Sequence, residues 1–148
     1  MANIIPNTFR GALFEANHNF KASGGNTFKL SLYTGSIASV YTVSSTVFSA
    51  TNEVSSGGGS NYAVKTLTNN GVVSSTVVAS VDFANVSYSS ATFTAAYAAI
   101  YNSTNVDGTA DRLVVVLDFN GDKTATNGTF TITFPDPSTP ANAIISMS

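Results

Sequence analysis

Residues 91–102 read ATFTAAYAAIYN, and DRLVVVLDF (111–119), NGDKTATNG (120–128) and TFTITF (129–134) follow. Successive side chains of an extended strand point to opposite faces. In the first run Ala91, Phe93, Ala95, Tyr97, Ala99 and Tyr101 therefore share one face, and Thr92, Thr94, Ala96, Ala98 and Ile100 share the other. The small residues on both faces predict close packing against a second layer. Residues 113–119 are apolar on both faces until Asp118, the pattern of a central strand. Residues 129–134 alternate threonine with Phe130, Ile132 and Phe134, which predicts one wet face. The Gly, Asp and Asn between these runs read as turns. Strands in succession with polar connections make the chain mainly β.

The same alternation appears earlier. Over 27–34, Phe28, Leu30 and Leu32 oppose Thr27, Lys29, Ser31 and Tyr33, which predicts a half-buried strand. Residues 62–68 predict another, ending in a hairpin turn at Asn69-Asn70-Gly71, because Asn and Gly tolerate positive φ. Residues 72–83 are β-branched and predict one broken strand or two short ones. From 35 to 60 the pattern fades, and TNEVSSGGGSN (51–61) has the composition of a mobile loop. Helical spacing occurs at the N-terminus, where Phe9, Leu13, Ala16 and Phe20 fall on one stripe. We expect a helix over 8–17, with Asn7 or Thr8 as its cap, followed by a turn at 23–26. Such a helix has to lay its stripe across a sheet.

One helix and seven or eight strands predict a single domain, 1–148, with an antiparallel β-sandwich or jelly-roll-like fold. Residues 1–6 are a candidate N-terminal arm, with Ile4, Ile5 and Pro6 either tucked on their own core or gripping a neighbour. Residues 135–148 are a candidate C-terminal extension. Pro135, Pro137 and Pro140 break regular structure there, and Ile144, Ile145 and Met147 form a last apolar patch. That patch either closes a sheet or meets a partner.

Charged residues are 9% of the chain, against about 25% in ordinary soluble domains. A neutral polar surface repels its own copies weakly, which suits a crowded assembly or an extracellular setting. Six basic residues and a net charge of −2 argue against nucleic-acid binding, which draws on many phosphate contacts. No apolar run approaches the ~20 residues of a membrane helix. The N-terminus has no basic region followed by a long apolar one, so we expect no signal peptide. The absence of cysteine excludes disulfides, thiolate chemistry and cysteine-based zinc sites.

Reactive groups are few. His18, the only histidine, lies in an Asn-rich segment and is expected to be exposed and solvated. A Ser-His-Asp triad would need it, and no Gly-x-Ser-x-Gly elbow accompanies it. Asp107, Asp111, Asp118 and Asp122 could face one another as a glycosidase pair or as calcium ligands. The calcium-loop spacing is missing, and Asp beside Gly usually punctuates turns. Gly57, Gly58 and Gly59 lack the Lys-Ser/Thr of a phosphate loop. Tyr33, Tyr41, Tyr62, Tyr88, Tyr97 and Tyr101 are expected at core edges or interfaces. The sequons at Asn85, Asn102 and Asn127 are expected by chance in a chain rich in Asn, Ser and Thr. We expect no catalytic residue, no metal and no cofactor.

FRGALFEA (9–16), TFKLSLYT (27–34), TNEVSSGGGSNYAVKTLT (51–68), VDFANVSYSSATFTAAYAAIYN (81–102) and LVVVLDFNGDKTATNGTFTITF (113–134) together resemble a family of small structural proteins encoded among the virion genes of tailed bacteriophages. The C-terminal FPDPSTPANAIISMS departs from that family's shorter endings. The resemblance implies a β-rich particle component, often a capsid decoration (cement) protein, and supplies no catalytic residues. On it we expect a virion protein made in the host cytoplasm and placed on the capsid exterior. The expected partners are the major capsid protein and neighbouring copies of the chain, in a trimer at quasi-symmetry points, with no nucleic acid and no membrane. The alternative is a glycan- or receptor-binding module of a tail or head fibre. A glycan-cleaving enzyme ranks behind both.

Overall fold

The structure is a computed structural model that describes residues 2–136, 139 and 143–147. Met1 of the arm and the breakers Pro137 and Pro140 lie outside the described residues. The elements in chain order are α1 (Asn7–Phe14), β1 (Phe28–Tyr33), β2 (Lys65–Thr66), β3 (Asn69–Ser74), β4 (Ala79–Phe83), β5 (Val86–Asn102), β6 (Arg112–Ile132) and β7 (Ile145–Met147). They build two antiparallel sheets in a sandwich-like arrangement, one ordered β2-β1-β5-β6 and the other β3-β4-β7. The fold is mainly β with one short helix, as the alternation predicts.

The β5–β6 pair is the spine. It runs from Val86 opposite Ile132 to Asn102 opposite Arg112. NGDKTATNG does not reverse the chain. It lies inside β6, where Lys123 pairs with Ala95, Thr124 with Thr94 and Ala125 with Phe93. Asn120 (φ 56), Gly121 (φ 107) and Asn127 (φ 47) mark bends in one strand. Asn and Gly report that the backbone takes positive φ, and a bulge asks for this as readily as a turn.

A register shift between Ala95 and Tyr97 corrects the predicted faces of β5. Ala91, Phe93 and Ala95 face the main core, and after the shift Ala98 and Ile100 take over that face. Ala99 and Tyr97 then line a smaller cluster behind the sheet. Between the pairs Ala95–Lys123 and Tyr97–Asp118, β5 advances two residues and β6 five, and an odd excess of this kind exchanges the two faces of what lies beyond it.

The rear cluster also corrects the reading of β1 as half-buried. Ser31 and Tyr33 are fully buried, and Ile37 and Tyr41 of the β1–β2 connection pack with Tyr33 behind the sheet. That connection is a loop, but its backbone is tied down: Val54 N donates to Leu32 O and Thr92 N donates to Ser60 O.

Residues 113–119 belong to an edge strand, not a central one. Their second face and free edge are covered locally. Ile4 N donates to Val116 O at 2.9 Å, and Val116 N donates back at 2.8 Å. Val47 bridges Arg112 further along. The arm therefore lies on its own sheet, with Pro6 buried and Ile4 and Ile5 half-buried.

Asn69-Asn70-Gly71 is likewise a bulge inside β3 and not its hairpin turn. The reversal comes at 75–78, where Ser75 N donates to Val78 O. The strand over 62–68 shrinks to Lys65–Thr66. At the other end of the chain Ile145 pairs with Val81 and Met147 with Ala79, so the C-terminal patch closes the smaller sheet.

The helix is shorter than its apolar stripe. Neither Asn7 nor Thr8 caps it. Pro6 precedes it in extended geometry, and Thr8 Oγ1 donates to Ser45 O instead. Ala16 takes a left-handed φ of 59°, and Asn17 N donates to Ala12 O, which closes the helix. Phe20 reaches the core from beyond that end, stacked on Phe28 at 4.5 Å. Phe28 packs edge-on against Phe83, which contacts Phe134, so helix end and both sheets share one aromatic layer.

Candidate functional site

The most distinctive surface feature is an apolar groove of about 450 Å³ between α1 and β7. Ile5 of the arm, Phe9, Leu13 and Phe14 of the helix, and Ile145 and Met147 of β7 line it, with Arg10 on its border. Residues from opposite ends of the chain thus form its two walls. The helix turns Phe9 and Ala12 into the core, which directs Phe14 outward at the C-terminal turn. Phe14 is 93% exposed and Met147 62%. A smaller apolar hollow beside the groove is lined by Leu13, Val72, Val81 and Met147, and Val72 is itself exposed. Exposed apolar side chains gathered in one place mark interaction surfaces more often than single ones do.

Of the assembly contacts expected from sequence, Ile5, Ile145 and Met147 line this groove. Ile4 is engaged with Val116, Pro6 is buried at the start of the helix, and Ile144 packs half-buried against the main core. Phe14 was not legible as a site residue. Its signal was its position off the Phe9–Leu13 stripe, where a large aromatic has no core to enter.

The reactive groups scatter. Asp107 and Asp111 sit in the β5–β6 connection, each at positive φ (52° and 56°). Asp118 accepts from Asn120 N at 2.8 Å across the β6 bend, so it serves local backbone geometry. Asp122 is exposed on β6. Among the described residues no three acidic, histidine or cysteine side chains gather as a metal site. Glu53 accepts from Tyr62 Oη at 2.5 Å and so ties the 51–61 segment to the core.

His18 contradicts expectation, being 8% exposed. Its ring sits 4.9 Å from Phe9 and 6.1 Å from Phe20. Burial, and then the nearby Arg112 charge, hold its pKa at about 4. Helix termination after Phe14 swings the chain inward, and no one-dimensional pattern shows that. Asn17 and Asn102 are buried with it. The sequon at Asn102 is therefore inaccessible.

Five of the tyrosines belong to the core, not to its rim. The Tyr33 and Tyr41 hydroxyls share a hydrogen bond at 2.7 Å, and the one whose proton that bond leaves free donates to Ser49 O, which lies 2.8 Å from Tyr33 Oη and 3.2 Å from Tyr41 Oη. Burial pushes the hydroxyls of Tyr33, Tyr41, Tyr62, Tyr88 and Tyr101 above the ordinary tyrosine value. They stay neutral and offer no open ring face.

Comparison with protein-family models, with curated proteins and with solved structures returned no match to this chain.

Proposed function

We propose that this protein is a non-enzymatic structural component of a tailed-phage particle, a decoration protein that binds and stabilises the head shell. The observation that carries the reading is the groove in which the half-buried Ile5 of the arm meets the exposed Phe14 of the helix and Met147 of the closing strand. A chain with 9% charged residues presents this groove on a surface with little charge to repel neighbours. Many weak apolar contacts repeated over a shell add through avidity. The partners are then the shell subunit and adjacent copies of the chain. Scattered aspartates and a buried histidine support the non-enzymatic part of the reading. Among the described residues no helix is long and apolar enough to cross a membrane. The fibre-module alternative gains no support from the tyrosines, whose rings are mostly buried.

Copy number decides between these readings. A quantitative gel of purified particles is expected to show the chain at hundreds of copies. A few copies, together with binding of the isolated protein to host cells, would instead support the fibre module. Deleting residues 1–6 is a poor probe, since Ile4 also holds the β6 edge. Phe14→Ser is cleaner: it is expected to leave the melting temperature unchanged and weaken binding to undecorated shells at least about tenfold, the loss of one buried aromatic contact. Unchanged binding would remove the groove from the proposal.

A further inference from the structure

A small cavity of about 30 Å³ lies between α1, the turn that follows it and the first residues of β6. Thr8, Phe9, Ala12, His18, Thr46, Arg112 and Leu113 line it. Two of these side chains bring a buried nitrogen that has no hydrogen-bond partner among the described residues: His18 Nε2 and Arg112 Nε.

The network around Asn102 fixes which His18 nitrogen carries the proton. Asn102 Oδ1 accepts from Thr104 N at 3.1 Å, so the amide is oriented with its nitrogen inward. That nitrogen lies 2.9 Å from Asn26 Oδ1, 3.2 Å from Asn17 O and 3.2 Å from His18 Nδ1. An amide nitrogen only donates, and its two protons are shared among the three neighbours, so a lone pair on Nδ1 fits there and an N–H does not. The proton of the neutral imidazole is then on Nε2. Both orphan nitrogens are therefore donors, and both side chains line the same cavity. A buried donor left unmade loses its hydration with nothing in return, which is a strong demand for an acceptor.

From this geometry we infer that the cavity is a binding site for a single small hydrogen-bond acceptor, a water molecule or a chloride-sized anion, held by His18 Nε2–H and Arg112 Nε–H. Its volume suits one such particle and no polyatomic ligand. Two sources supply this chemistry. The anion is favoured by the Arg112 charge, which has no carboxylate ion-pair partner among the described residues. Water is favoured by Thr8 Oγ1, which spends its proton on Ser45 O and keeps lone pairs for a donor. In either case the acceptor joins the helix to β6, and so steadies the element that carries Phe14.

Crystals of the full chain grown in sodium bromide and in a halide-free buffer test this. An anomalous bromide peak within roughly 3.5 Å of both nitrogens assigns the site to an anion. A water-sized peak bonded to both, without anomalous signal, assigns it to water. An empty cavity in both crystals, or either nitrogen bonded to a protein acceptor, overturns the inference. An independent readout is the ¹⁵N spectrum of the His18 imidazole at neutral pH. The Nε2–H tautomer is expected, and the Nδ1–H tautomer would overturn the donor assignment.

Discussion

At the scale of single residues, His18 is the most consequential polar group, because its burial links stability to pH. The unfolded chain takes up its proton below about 6.5, and the folded protein only near pH 4. The contribution is complete above pH 6.5 and is lost as pH falls towards 4, since the unfolded state binds more protons in that window. We expect wild-type stability to fall by on the order of 2 kcal/mol across it, allowing for partial solvent contact. His18→Gln should flatten that part of the profile in denaturant unfolding measured at each pH. Two glycines make opposite predictions. A Cβ at Gly25 would lie 2.0 Å from Lys21 O, so Gly25→Ala has to move backbone and should cost more than about 2 kcal/mol. A Cβ at Gly11, inside α1, meets nothing within 4 Å, so Gly11→Ala should stabilise by about 0.5–1 kcal/mol. Thermal melts of the two variants against wild type check both signs.

At the scale of elements, edge protection decides how the β5–β6 pair survives in solution. An uncovered strand edge offers unpaired N–H and C=O groups to any passing chain. β6 is covered at its start by Ile4 and Val47. Ile4→Pro removes the donor to Val116 O while leaving the side of the arm apolar. It should lower stability by about 1–2 kcal/mol and speed hydrogen exchange at the amides of Leu113 to Asp118. Exchange unchanged from wild type would mean the arm does not protect the edge. How legible the elements were follows the same logic. Alternation over 27–34 shows the strand Phe28–Tyr33, but not the burial of its second face, to which the loop after it contributes. Asn120-Gly121 and Asn69-Asn70-Gly71 carry the signal of a reversal yet form bulges, because local φ preference is common to turns and bulges. Only the partner strand distinguishes them.

At the scale of the whole molecule, one aromatic layer through Phe20, Phe28, Phe83 and Phe134 joins helix end and sheets. Phe28→Ala should cost about 3–5 kcal/mol in chemical unfolding, because a fully buried ring leaves a cavity between layers that cannot close on it. The candidate site exists only at this scale. Ile5 and Met147 lie at opposite ends of the chain, and pairing of β7 with β4 and of the arm with β6 brings them to one groove. The sequence by itself determined the fold class, the neutral surface and the poverty of reactive groups. Alternation and composition are properties of each segment and need no partner. Tertiary structure alone decided the bulges that exchange the faces of β5, the burial of His18, and the meeting of the two chain ends. Each of these depends on which distant segment lies alongside, and free energy from non-local pairing and packing is not written in any local pattern.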